Sequence, residues 1–346
     1  MSISKHINPK TSAVGVLKHP LPGDVLARWK IAPGDVYLKT ESGRSLRLKR
    51  AGDFLEESWK AKFVTSPNLL WTPAIDLKRV QELVQLYRAW AQALDPDEIL
   101  QTRESFIVAL RAGLRPEGGL SLLDLAFVCY TLFPVDASLI AEYQAKHVVL
   151  YRRGLLVSAL AVLMAVALGY EEPTFLRDVY HTGWLLDLGL SSDEFSYWVA
   201  LACQAEKHRP GAGDQLLKDR NASDQELRLF LEHPRFGFDR ARTLVEKKFA
   251  FPELLTSILH HHEKSDGTGF PEGMTFSVLA DWETLMVLAD SMVDYREEML
   301  EEDLRSSFGH LWSRYFANPV EGLPVQGIML KIKAWFQVQK VPEAVA

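Results

Sequence analysis

The chain has 346 residues, 47% of them hydrophobic and 24% charged, with a formal charge of −6 and a pI near 6.0. That length suits about two or three compact domains, each able to bury a core. The acidic balance gives no general attraction for nucleic acid or for an anionic membrane surface. Cys129 and Cys203, the two cysteines, lie in apolar stretches without a CxxC spacing and read as reduced, buried thiols of a cytoplasmic protein.

Residues 1–10 are polar and lack the apolar centre of a signal peptide. Residues 1–75 read as a small α/β module. Strands are expected at 36–39 and 45–49, where Leu46 and Leu48 alternate with Arg47 and Lys49, and Glu41-Ser42-Gly43 supplies the turn of a hairpin. Residues 62–65 and 69–72 are further short strand candidates, and 53–61 a helix. From residue 76 the period becomes helical, with a stripe of Val80, Leu83, Val84, Tyr87 and Ala91. Helices are expected at 97–112, 121–132 and 137–151, with a break at 114–119 and a start marked by Asp95-Pro96. Residues 76–150 thus form a helical linker region.

Residues 151–346 read as an all-helical domain, which makes the fold mainly α. Residues 154–170 are apolar apart from Ser158 and follow Arg152 and Arg153. That length is at the short end of the roughly 17–25 residues of a membrane span. A fully buried helix has the same hydropathy, and the motif register below favours the buried helix. Loops are expected at 208–214 and 266–273, helices at 251–260 and 276–295, and residues 318–323 separate the last helices.

The chemistry concentrates in His260-His261-His262-Glu263-Lys264-Ser265-Asp266-Gly267-Thr268-Gly269-Phe270-Pro271-Glu272-Gly273. Three imidazoles and a carboxylate end an apolar helix, and a glycine-rich turn follows. Neutral imidazole is a common ligand for catalytic metals, whereas a solvated helix terminus, where cations are favoured, would also show histidines.

The whole string resembles the pattern His-His-Glu, two spacers, Asp-Gly, one spacer, Gly-Tyr-Pro of HD-GYP domains. His261, His262, Glu263, Asp266, Gly267, Gly269 and Pro271 match, and Phe270 stands for the tyrosine. The family's earlier His-Pro is matched by His233-Pro234. Its His-Asp-hydrophobic-Gly-Lys signature is placed at His181-Thr182-Gly183-Trp184-Leu185, which loses the aspartate to Thr182 and the lysine to Leu185. Counting back from Leu168-Gly169-Tyr170 puts Arg153 in the first-histidine slot; His147, six residues earlier, lies about 120° away around the helix. Downstream, Ala289-Asp290 matches the terminal Ala-Asp, while Val293 occupies the next aspartate position and Asp294 is displaced by one.

The resemblance implies a metal-dependent phosphodiesterase ancestry acting on cyclic di-GMP. Two-metal centres need a carboxylate bridging ions about 3.5–4 Å apart, and Thr182 cannot serve. Arg153 would repel a neighbouring dication by about 4 kcal/mol per unit charge at 4 Å and an effective dielectric of 20. His233, His261 and His262 could hold one divalent iron, manganese or zinc ion, with His181 and Asp290 the remnants of a second site. The expected function is therefore a catalytically inactive or strongly impaired signalling module that binds a protein or nucleotide. The alternative is a cyclic di-GMP phosphodiesterase with a reduced or rearranged metal centre. The retained motif disfavours an HDOD-like domain, and no PilZ signature is present. By resemblance, the loop of Asp266, Gly267, Gly269, Phe270 and Pro271 is the surface for a diguanylate cyclase (GGDEF) or another signalling protein. Cyclic di-GMP is a further candidate ligand, and a homodimer through the middle helices is an expectation. No nucleic-acid partner and no membrane insertion are expected.

Overall fold

The computed structural model describes residues 18–114, 118–192 and 195–295, together with residue 331. The polar stretch 1–10, the separator 318–323 and the last helices lie outside the described residues. The chain divides into two compact units, Met1–Ala74 and Ile75–Ala346.

The first unit runs β1 (His19–Pro20), α1 (Gly23–Arg28), β2 (Gly34–Lys39), β3 (Ser45–Lys49), α2 (Glu57–Phe63) and β4 (Leu69–Pro73). The strands form one antiparallel sheet in the order β1-β4-β2-β3. The expected hairpin pairs Tyr37 with Arg47 and Lys39 with Ser45. Residues 62–65, a strand candidate from composition, instead close α2, because its aromatic side chains join the core as a helical face. Leu21, Leu26, Val36, Leu55 and Leu69 form that core, with Trp29, Trp59, Phe63 and Trp71 packed on it. The Lys60 ammonium is buried and donates to the carbonyls of Ala27 (3.2 Å) and Trp29 (3.3 Å), taking up acceptors at the end of α1.

The second unit is helical among its described residues: α3 (Leu77–Gln92), α4 (Pro96–Leu114), α5 (Leu122–Leu132), α6 (Ala137–Lys146), α7 (Val148–Leu168), α8 (Pro173–Leu185), α9 (Tyr197–His208), α10 (Ala212–Asp219), α11 (Asp224–Val245), α12 (Thr256–His260) and α13 (Asp281–Ser291). The α3 stripe buries Val80, Leu83, Val84 and Tyr87, but Trp90 takes the last inward place and Ala91 is exposed. The expected helix 137–151 is two helices, since His147 leaves helical geometry at the start of α7.

Helix α7 is the one described helix with the length and apolar composition to cross a membrane, and 89% of its most apolar window is buried inside the unit. It packs against α5, α8 and α13. A helix surrounded on all sides needs no polar face, which explains a hydropathy that mimics a span. Arg152 and Arg153, which precede the apolar run, are buried too. A buried arginine must be paired, and Arg153 leads directly to the site.

Candidate metal centre

Helix α11 contributes His233, followed by Pro234 inside the helix. Proline has no N–H for the carbonyl four residues back, here that of Phe230. The His233 ring takes its place, with Nδ1–H donating to Phe230 O at 2.8 Å. This contact fixes the tautomer and leaves a lone pair on Nε2. The end of α12 works alike: His261 Nδ1–H donates to the last-turn carbonyl of Ile258 at 2.8 Å. Nε2 of His233 stands 3.4 Å from Nε2 of His261 and 3.1 Å from Nε2 of His262.

That geometry suits a cation. With both protons on Nδ1, two lone pairs of His233 and His261 face each other with nothing between them to share. Tetrahedral nitrogen ligands at about 2.05 Å from zinc stand about 3.3 Å apart, which is the spacing observed. All three rings are buried. Burial is the main reason that their protonated forms are disfavoured: His233 titrates at about 3, and His261 and His262 are likewise lowered. They are held in the neutral, ligating form. Such rings suit a transition-metal ion, and the ligand atoms converge in two groups that share His233, one with His261 and Asp187 and one with His262 and Cys203.

His260 takes no part. Its Nδ1 lies 2.7 Å from Glu283, and this hydrogen bond raises its pKa.

The opposite end of the cluster is ionic. Arg153, from α7, is fully buried. Its Nε donates to Asp187 Oδ2 at 2.9 Å, and its other nitrogens reach Asp290 Oδ1 and the carbonyl of Val293. Lys207, from α9, lies 2.9 Å from Asp290 Oδ2 and donates to the carbonyls of Asp290 (2.6 Å) and Val293 (3.0 Å). The Tyr295 ring lies 3.6 Å from the Arg153 guanidinium, and its hydroxyl donates to Asp187 Oδ1 at 2.7 Å. Burial alone would lower the pKa of Arg153 and raise that of Asp187. Their attraction reverses both, with Tyr295 and Asp290 also favouring the arginine cation and His261 and His233 the Asp187 anion.

Asp187 is not among the residues that the sequence singles out. Its Oδ1 is 3.9 Å from His261 Nε2, and it forms a group of converging ligand atoms with His233 and His261. A Cβ on nearby Gly189 would stand 1.9 Å from the carbonyl oxygen of His233 and 2.8 Å from Gly237 N. This turn thus presses directly on the ligand helix.

Thr182 and Leu185 lie away from the cluster, on α8. Thr182 is buried one turn or more before Asp187, and its hydroxyl donates to Asp178 O at 2.8 Å within α8. Leu185 ends that helix in the apolar core. The His181 ring packs beside Tyr180 and Phe249, with centroids 6.1 and 6.2 Å away, and it belongs to neither converging group. Asp290 is at the site, but its two oxygens face Arg153 and Lys207. His147, at the start of α7, packs against Phe195.

The loop after His262 is tied to the same cluster. Buried Glu263 accepts from the backbone N–H groups of Glu272 (2.7 Å) and Met274 (2.8 Å). Phe270 stacks on His262 with centroids 4.7 Å apart and planes at 20°, so the ring that replaces the motif tyrosine walls the histidine side. Gly269 passes so close to Glu263 that a Cβ would sit 2.5 Å from its Cα. Gly267 has φ of +75°, a left-handed conformation. Asp266 is exposed and folds its carboxylate onto Thr268 N and Oγ1 at 3.0 and 2.6 Å, while Pro271 is half-buried.

Fold and site together define a helical domain with a buried three-histidine pocket adjoining an arginine–carboxylate cluster. No family model and no curated protein matches the chain. Among solved structures it is similar to Bd1817, a HDG"Y"P protein from Bdellovibrio bacteriovorus, over 88% of this chain and 95% of that one. The identity is 17% and the TM-score 0.37. At that distance the site stands on its own residues.

Proposed function

We propose that this chain is an HD-GYP-like module of cyclic di-GMP signalling that holds one transition metal and acts by binding a protein or nucleotide rather than by hydrolysis. The observation that carries this reading is the Arg153 guanidinium, lodged between Asp187 and Asp290. A hydrolytic pair of ions would need those carboxylates as ligands. Here both are neutralised by a permanent cation on the protein, and Lys207 adds a second. We read Leu186-Asp187-Leu188-Gly189-Leu190, rather than the string from His181, as the counterpart of His-Asp-hydrophobic-Gly-Lys; Leu190 then stands where the lysine would be and cannot meet a phosphate.

His233, His261 and His262 would hold the remaining ion. In hydrolases of this kind a metal supplies an activated hydroxide; in this module it would instead cross-link α11 to the end of α12. That fixes the base of the 266–273 loop, which Glu263 and Phe270 already tie to the ligands. The exposed face of that loop, with Asp266, Thr268 and Glu272, would meet a signalling partner such as a diguanylate cyclase. Retention of Asp187 beside His261 favours the second reading, a phosphodiesterase working through a rearranged centre.

Elemental analysis of protein purified without chelators, paired with a cyclic di-GMP turnover assay, separates the two. One metal per chain without turnover is the expected result. Two metals with linear product formation would replace the first reading by the second.

A further inference from the structure

We infer that Cys203 is a ligand, with His233 and His262, of the ion at this cluster, which makes the centre a mixed cysteine–histidine site suited to zinc. The inference rests on the single-metal reading above and adds a ligand and a metal class to it.

Cys203 lies on α9, fully buried and outside any disulfide. Its sulfur and the nearest ring nitrogens of His233 and His262 all fall within 4.8 Å of one another. In a tetrahedral site with Zn–S of about 2.3 Å and Zn–N of about 2.05 Å, sulfur and nitrogen stand about 3.6 Å apart. Asp187 converges instead with His233 and His261, but its oxygens are taken by Arg153 and the Tyr295 hydroxyl.

Charge points the same way. Arg153 and Lys207 balance Asp187 and Asp290, two positive against two negative. Three neutral imidazoles offer a dication no counter-charge, and an uncompensated buried dication is costly. A thiolate at Cys203 supplies one negative charge. On binding, the S–H bond breaks, sulfur keeps the electron pair and forms the metal bond, and the proton leaves to solvent. A thiolate selects zinc over magnesium or manganese.

The test is cobalt(II) loading of the metal-stripped full-length chain, read by absorption, for the wild type and for Cys203→Ser and Cys203→Ala. The wild type should show four-coordinate visible bands and a near-ultraviolet thiolate-to-cobalt charge-transfer band. Both variants should keep the visible bands, lose the charge-transfer band and bind zinc more weakly by about tenfold or more, the low end of what losing even an outer partner costs. Visible bands without charge transfer in the wild type would overturn Cys203 ligation and leave the histidine site standing. Absence of any bound cobalt would overturn the metal reading itself.

Discussion

At the histidine end of the buried cluster, the His261 and His262 rings each approach Nε2 of His233 and bring no charge of their own. At the other end, with Asp187 Oδ1 3.9 Å from His261 Nε2, two carboxylates are already matched by Arg153 and Lys207. One end is complete only with a cation from outside; the other carries its cations in covalent form. The difference teaches that one buried cluster can satisfy its carboxylates with side-chain cations while leaving its imidazoles without a counter-charge. The Arg153 guanidinium keeps the carboxylates paired. It also removes the freedom of those carboxylates to bridge metals.

The largest effect expected on breaking that contrast comes from Arg153→Met. It strands Asp187 and Asp290 beside Lys207 alone, and removing one partner of a buried ion pair costs about 3–5 kcal/mol. Denaturant melts should show that loss in metal-free protein, with partial recovery on adding manganese or zinc if a second ion takes the vacated place. A cost under about 1 kcal/mol, the range of an exposed pair, would mean that the guanidinium is not the cation of that end.

Next in size is His261→Ala combined with His262→Ala. At metal 1,000-fold above its Kd, ligand binding adds about 4 kcal/mol of stability, and the double variant should lose that increment and all bound metal while keeping its helical circular dichroism. Stoichiometric metal in the double variant would dismantle the ligand assignment.

Acid should act on the same end. His233 titrates at about 3 in the folded chain against an ordinary value of 6.5, chiefly through burial. Between those values the unfolded chain binds more protons than the folded one, so stability of metal-stripped protein should fall as pH drops from about 6.5 toward 3. A flat pH profile over that window would contradict buried neutral rings.

A smaller effect sharpens the link from the histidines to the loop. Glu263→Gln removes the charge from a buried acceptor of two backbone N–H groups, and hydrogen bonds to charged groups are worth about 1.5–3 kcal/mol. Amide exchange at Glu272 and Met274 should quicken, with metal content unchanged. The smallest effect expected is that of His181→Ala on metal stoichiometry, which should not move; a drop would restore His181 to the ligand set.

Most of the site's histidine half is legible in the sequence because its ligands sit in local strings. His261-His262 precedes a glycine turn, and His233-Pro234 carries its own tautomer switch. The carboxylate half is obscured at one point for a physical reason. His181 draws attention to α8, while Asp187, which lies beside His261, follows that helix with no histidine next to it in sequence. Arg153 is located by counting along α7, but its ion pairs with Asp187 and Asp290 span 34 and 137 residues of sequence and follow from packing alone. Cys203 gives no signal, since a buried thiol and a thiol ligand look alike in an apolar helix. In the small N-terminal unit, alternation exposes the β2–β3 hairpin. It fails at residues 62–65, a stretch too short to separate the two periods.

The most direct test of the central claim is anomalous diffraction from crystals of metal-loaded protein. One peak within coordination distance of Nε2 of His233, His261 and His262, with Arg153 still between Asp187 and Asp290, is the predicted result. Two peaks about 3.5–4 Å apart, with Asp187 bridging them and Arg153 displaced, would contradict it.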